Sequence, residues 1–360
     1  TDPVPEKREQ SFAEQGIDAF HGIARFTGRD TVEVEGHALK GRHILIASGA
    51  RPASLGFPGE EHLTLSDKFM ELERLPERIV MVGGGYIAAE FSHIAARAGA
   101  KVIILQRGER MLPQFDHELV GWLMEKFQEI KADVRLRNSV KRVERSGNKY
   151  RVHTQTPEGE GVIVADLVIH AAGRVPDIDS LNLSAADVAV ENGKLLLNDF
   201  LQSVSNPIVY AAGDAAAQGP PLTPVSSHEA KVVASNLLEG SNRHRPDYRG
   251  VPSVAFTLPP IAAVGLSETA ARQLGGKLRV KSAKTEDWYT ARRVGEHVYG
   301  YKTLIDENSG RILGAHIVGP HADEVINIFG LAMRHNLTAD DLKTTMFAYP
   351  TGASDVGYML

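Results

Sequence analysis

Residues 78–105 read RIVMVGGGYIAAEFSHIAARAGAKVIIL, and this stretch decides the fold. Arg78–Val82 is a short β-rich run. Gly83-Gly84-Gly85 then opens an Ala-rich helical segment that reaches about Ala98 and stops at Gly99, and Lys101–Leu105 is a second buried strand. This strand–helix–strand unit carries G-x-G-x-x-A at Gly83, Gly85 and Ala88. The first glycine permits a tight turn, the second lets backbone approach a pyrophosphate, and the small third residue allows close helix–strand packing. Free amides and the positive end of the helix dipole hold the anion. An incidental Gly-rich turn is the bland alternative, and it does not require strand, helix and second strand to fall in place together.

The tip of the second strand separates two nucleotides. An Asp or Glu there would accept hydrogen bonds from the ribose 2′-hydroxyl of NAD. This chain has Gln106, followed by Arg107 and Arg110. A neutral amide removes repulsion of a 2′-phosphate, and guanidinium pairs well with phosphate, so NADP is expected over NAD. The plain alternative is a pair of solvated loop arginines.

Working outward, His43–Ala47 ends in Ser48-Gly49, Leu167–His170 in Ala171-Ala172-Gly173-Arg174, and Ile208–Ala211 in Ala212-Gly213-Asp214. Three apolar strands with small-residue ends read either as ordinary core strands or as strand tips lining a cofactor. Thr31–Glu35 alternates like a half-exposed strand. The segments 126–145 and 150–165 supply further helix and strand pieces. After the Pro-rich loop 219–224, a helix is expected from Ser226 to Leu238, and 243–252 reads as a domain boundary. The terminal part is α+β, with strands at 253–258, 299–305 and 311–318, a capping box at Ser267-Glu268-Thr269-Ala270, and a helix over 322–335.

Composition narrows the class. The 360 residues suit two to three domains, with 42% hydrophobic and 24% charged residues as in globular proteins. A net charge of −5 offers no global attraction to nucleic acid or to anionic membranes. The longest apolar runs are only strand-length, far below the ~20 residues of a membrane span. No cysteine is present. The 14 histidines show no metal-ligand spacing, and no metal is expected. The opening Thr1-Asp2-Pro3-Val4-Pro5 lacks an initiator Met and a leader, and reads as the middle of a longer, cytoplasmic chain.

Almost the whole chain resembles the flavin-dependent pyridine nucleotide–disulfide oxidoreductases, such as glutathione reductase, dihydrolipoamide dehydrogenase and mercuric reductase. The motifs are Ile44–Gly49, Gly83–Glu90, Ala172–Pro176, Tyr210–Asp214 and Pro259–Ser267, in that order. The resemblance implies an α/β fold with two Rossmann-like nucleotide-binding domains, the FAD domain incomplete at its N-terminus, and a C-terminal α+β dimerisation domain. The expected boundaries are 1–50 for an FAD-domain remnant, 51–175 for the NAD(P) domain, 176–250 for the rest of the FAD domain and 251–360 for dimerisation. It further implies that Asp214 binds flavin ribityl hydroxyls, with Arg174 and the Ser48-Gly49 turn along FAD. Tyr86 would cover the flavin face, Glu90 would sit near the flavin–nicotinamide contact, and Gly173 beside the nicotinamide nucleotide. Gly84, Ile87 and Thr223 join these as expected cofactor-binding residues.

The chain departs from the family in three places. A second Gly-rich fingerprint and the redox-active cysteine pair, which the family carries upstream, are absent from these residues. Where the family has His-Pro-Thr and a following Glu, this chain has Tyr349-Pro350-Thr351 and Ser354 or Asp355. Tyr349 and Asp355 are the candidate catalytic pair. The expected activity is hydride transfer from NADPH to FAD and on to a small-molecule acceptor of disulfide type, in a homodimer. A diaphorase or quinone reductase without a redox disulfide, and a non-catalytic nucleotide-binding interaction protein, are the alternatives.

Overall fold

A computed structural model describes residues 3–360; Thr1 and Asp2, with which the expected FAD-domain remnant begins, lie outside the described residues. The chain divides into two units, one of residues 1–51 with 174–248 and the other of 52–173 with 249–360.

In the first unit, Ile44–Ile46 pairs in parallel with Val209–Ala211, so the small residues that follow both strands emerge at the same edge. A three-stranded antiparallel sheet is built from Arg25–Gly28, Thr31–Val34 and His37–Lys40. Phe26, Ile46, Val209 and Ala211 share a core with Ile178, Leu183 and Leu195. The long helix runs Thr223–Glu239, three residues earlier than the sequence suggests, because Pro224 in the first helical turn has no amide to waste.

In the second unit, a four-stranded parallel sheet has the order 167–170, 78–82, 101–105, 133–135. Its central strands read as continuous apolar runs because both faces are covered. Ile79, Met81 and Ile104 are completely buried. Helix Tyr86–Arg97 covers one face, packing Ala88, Ala89 and Ala95 against it. A further helix, His117–Glu129, begins nine residues before the expected segment, because Asp116 caps it by accepting from the Glu118 amide at 3.0 Å.

The same unit contains a five-stranded antiparallel sheet in the order 253–255, 261–265, 312–318, 300–306, 278–284, covered by helix Ala322–Arg334. The strand expected over 253–258 stops at Ala255, because the amides of Phe256 and Leu258 are taken by side chains rather than by a neighbouring strand. Ser267 accepts from the Ala270 amide at 3.2 Å, but the third helical residue, Ala270, has no side chain to reach back, so only half of a capping box forms. Among the described residues, no helix is long and apolar enough to cross a membrane.

Candidate functional site

The tight turn after strand 78–82 is dictated by contact. Gly83 has φ +111°, and a Cβ on it would lie 2.3 Å from the Ala171 carbonyl oxygen. Gly84 is also closed in, with Met111 Sδ 2.7 Å from a Cβ position. Gly85 differs. Its nearest atom would be Ala171 O at 3.9 Å, so the protein itself leaves room there. No side chain caps the helix that begins at Tyr86, and its first amides remain available to an anion.

These glycines open on a cleft of about 550 Å³, within the second unit. Gly173 faces it with no atom within 4 Å of its Cβ position among the described residues. Gln106, Arg107, Asn138, Val140 and Lys141 also line it. Gln106 donates to the Arg110 carbonyl at 3.0 Å, which holds its amide back from the strand tip. Arg107 is exposed and has no carboxylate partner among the described residues. The structure therefore brings Gly83, Gly84, Gly85, Arg107 and Gly173 to one cleft. Asn138 and Lys141 were missed in the sequence, since neither stands in a motif; only the fold places residues after strand 133–135 beside Gln106.

Tyr86, Ile87 and Glu90 lie on the first turns of the helix. The hydroxyl of half-buried Tyr86 lies near the Ser253 and Gln114 side chains, and burial pushes its pKa up. Its ring meets Phe115 edge-on at 5.5 Å. Glu90 accepts from the Phe256 amide at 2.9 Å, and His93 Nδ1 from the Leu258 amide at 3.1 Å. Arg97 donates to the Leu258 carbonyl at 3.3 Å. One helix face thus takes over backbone groups that a sixth strand would otherwise satisfy.

Ser48, Gly49, Arg174, Asp214 and Thr223 all lie in the first unit. The parallel pair of strands sets Ala47-Ser48-Gly49 beside Ala212-Gly213-Asp214, and the Ala212 amide donates to Ile46 O at 3.1 Å. Arg174 donates to the Ala50 carbonyl. Asp214 is half-buried, and its carboxylate has no hydrogen-bond partner among the described residues. The turn before it is held from behind. Buried Glu229 accepts from the Gly213 amide and from the Tyr248 hydroxyl, each at 2.6 Å. Thr223 is exposed at the start of its helix.

The candidate pair at the C-terminus is not brought together by a hydrogen bond. Tyr349 is 76% exposed, with its ring 6.1 Å from that of Tyr289. Asp355 is buried, and its carboxylate accepts from the Tyr299 hydroxyl at 2.9 Å. Burial raises its pKa. Ser354 bonds locally to Thr351.

The family model described as pyridine nucleotide-disulphide oxidoreductase matches residues 4–230, and that family's dimerisation domain matches 251–359. A mercuric reductase of Lysinibacillus sphaericus is 34% identical over 358 residues, covering 97% of this chain and 65% of its own length. A glutathione reductase of Burkholderia cepacia is 32% identical over 339 residues, covering 94% of this chain and 74% of its own. The chain spans only 56–65% of the mercuric reductases it matches. Among solved structures, the HOCl-induced flavoprotein disulfide reductase RclA from Escherichia coli superposes with a TM-score of 0.89 at 26% identity, covering 99% of this chain and 82% of that one.

Proposed function

The chain belongs to the pyridine nucleotide-disulphide oxidoreductase family, and on that premise we propose that it binds NADPH at Gly83–Gly85 for hydride transfer to FAD. Electrons then pass to a small-molecule acceptor, of disulfide type in the first reading. The observation that carries this is the pocket at Gly85. No atom comes closer than 3.9 Å to a Cβ at that position, the helix beyond it is uncapped, and a phosphate-sized anion suits both facts.

Each residue then has a binding or orienting task. The amides at the helix start hold the pyrophosphate, and Arg107 pairs with the 2′-phosphate. Gly173 forms a wall without a side chain beside the nicotinamide half. In the first unit, the partnerless Asp214 carboxylate is suited to accept from flavin hydroxyls, with Ser48, Gly49 and Arg174 along the same cofactor. Bound nicotinamide and flavin supply the hydride and electron chemistry, while the chain supplies position, electrostatics and exclusion of water. We assign 51–175 to NAD(P) binding, 1–50 and 176–250 to FAD binding, and 251–360 to dimerisation. The dimerisation-domain match supports a homodimer.

A second reading for the acceptor rests on the exposed Tyr349. A phenol hydroxyl is a poorer general base than the imidazole that the family carries there. Quinone or dye reduction outpacing glutathione disulfide reduction is the outcome this reading expects, and equal rates would remove it. The nucleotide assignment is tested by calorimetric titration of NADPH and NADH. Wild type is expected to favour NADPH. Arg107→Glu should reverse the order, since it removes a charge-assisted bond worth roughly 1.5–3 kcal/mol and adds repulsion. Equal wild-type affinities would overturn the choice of NADPH.

A further inference from the structure

We propose that Asn138 reads the base of the bound dinucleotide, accepting a hydrogen bond from the exocyclic amine of adenine. The proposal rests on the dinucleotide reading of the same cleft and adds the group that recognises its far end.

Three observations meet at this side chain. Asn138 is only 6% exposed and lines the cleft. Its Oδ1 has no hydrogen-bond partner among the described residues. Its backbone is tightly held, with the Asn138 amide donating to Gln106 O at 3.0 Å and the neighbouring Arg137 amide to Gly108 O at 2.9 Å. Buried amide oxygens are nearly always satisfied, because an orphaned acceptor forfeits its bonds to water. The residue that carries this oxygen lines the cleft, where a bound ligand can bring a donor to its carboxamide.

Position within the sheet says which donor. The pyrophosphate belongs at the glycine turn after strand 78–82, and the adenosine ribose at the tip of strand 101–105, where Gln106 and Arg107 stand. Asn138 follows the next strand outward, Asp133–Arg135, and so lies one strand beyond the ribose. Past the ribose of a nicotinamide dinucleotide comes adenine, whose 6-amino group is its edge donor. Leu105, Pro113 and Val140 line the same cleft and supply apolar surface for a flat ring. The nicotinamide carboxamide also carries an N–H₂ donor, but it belongs to the opposite half of the dinucleotide, on the Gly173 side.

Replacing the 6-amino group by a carbonyl, as in the hypoxanthine analogues of NADPH and NADH, sets oxygen against oxygen. In calorimetric titrations of the full chain, each natural dinucleotide should bind roughly 10- to 100-fold more tightly than its hypoxanthine analogue. The same ratio in both pairs marks the base rather than the 2′-phosphate as the cause. N138A should bring the natural dinucleotide down to the level of the analogue and leave the analogue within about threefold. Equal binding of adenine and hypoxanthine forms by wild type would overturn the role of Asn138 while leaving the dinucleotide reading intact. So would a ratio that survives in N138A. If N138A does not fold, the wild-type ratio alone decides. If neither NADPH nor NADH binds at all, the dinucleotide reading itself falls, and the role of Asn138 with it.

Discussion

His93 shows how a residue outside every motif comes to matter. It stands three residues after Glu90 on helix Tyr86–Arg97, is 3% exposed, and meets the Phe127 ring edge-on at 4.7 Å. Its Nδ1 accepts from Leu258, so only the neutral ring fits. Burial, with Arg97 and Lys126 nearby, lowers its pKa from 6.5 to about 4. The unfolded chain therefore binds a proton that the folded chain refuses between these two values, and stability falls as pH drops from 6.5 toward 4. The loss expected from this residue is about 3 kcal/mol, from ~1.4 kcal/mol for each pKa unit. Urea unfolding of wild type and His93→Leu at pH 7 and pH 4.5 checks it. The variant should be less stable at pH 7, where the Leu258 amide loses its acceptor, yet lose clearly less on acidification. Equal losses in both proteins would show that protons bind elsewhere.

At the scale of the element, the glycine turn separates folding from binding within three residues. Gly83→Ala puts a side chain into the Ala171 carbonyl at a left-handed φ, and should cost roughly 1–3 kcal/mol in backbone strain beyond the clash itself. Gly85 has φ −92° and an uncrowded Cβ direction, so Gly85→Ala should fold with near-wild-type stability. On the proposed dinucleotide reading, its methyl would stand where the pyrophosphate approaches. Thermal melts and dinucleotide titration read both effects. The expected pattern is lost stability for Gly83→Ala, and intact stability with at least tenfold weaker dinucleotide binding for Gly85→Ala. Unchanged affinity in Gly85→Ala would remove the phosphate from this turn.

For the whole molecule, the second unit joins the parallel sheet to the C-terminal sheet through polar contacts as well as apolar ones. Besides the Glu90, His93 and Arg97 contacts, Lys302 on strand Gly300–Asp306 places its ammonium 3.0 Å from Asp116, 3.1 Å from Glu118 and 3.3 Å from Glu268. Both Lys302 and Asp116 are nearly inaccessible. Burial works against the charge on Lys302, but its hydrogen bonds to the three carboxylates outweigh this and raise its pKa. Lys302→Met would leave Asp116 buried without its cation, and should destabilise the chain by about 3–5 kcal/mol. Adding Asp116→Leu should recover part of that loss, because the buried carboxylate is gone, although Glu118 and Glu268 still lack their cation and the helix loses its cap. Equilibrium unfolding of both variants measures this, and a single mutant as stable as wild type would show that the cluster contributes nothing.

What the sequence determined by itself are the features encoded within a few residues. Residues 78–105 fix a strand, a glycine turn, a helix and a second strand, because apolar runs, tight turns and helix ends depend on near neighbours. The Ser48-Gly49 and Gly213-Asp214 strand ends were legible for the same reason. Other features came only from the tertiary structure. The sequence reading sets 51–175 apart from 251–360, whereas contacts group 52–173 with 249–360. That grouping depends on Glu90 meeting Phe256 and Lys302 meeting Asp116, pairs separated by more than 160 residues. Asn138 comes to line the cleft because strand 133–135 adds beside strand 101–105. Glu229 gains its importance because its helix folds back onto Gly213. Burial and the partners of a polar group are properties of the packed chain, and no local pattern in the sequence encodes them.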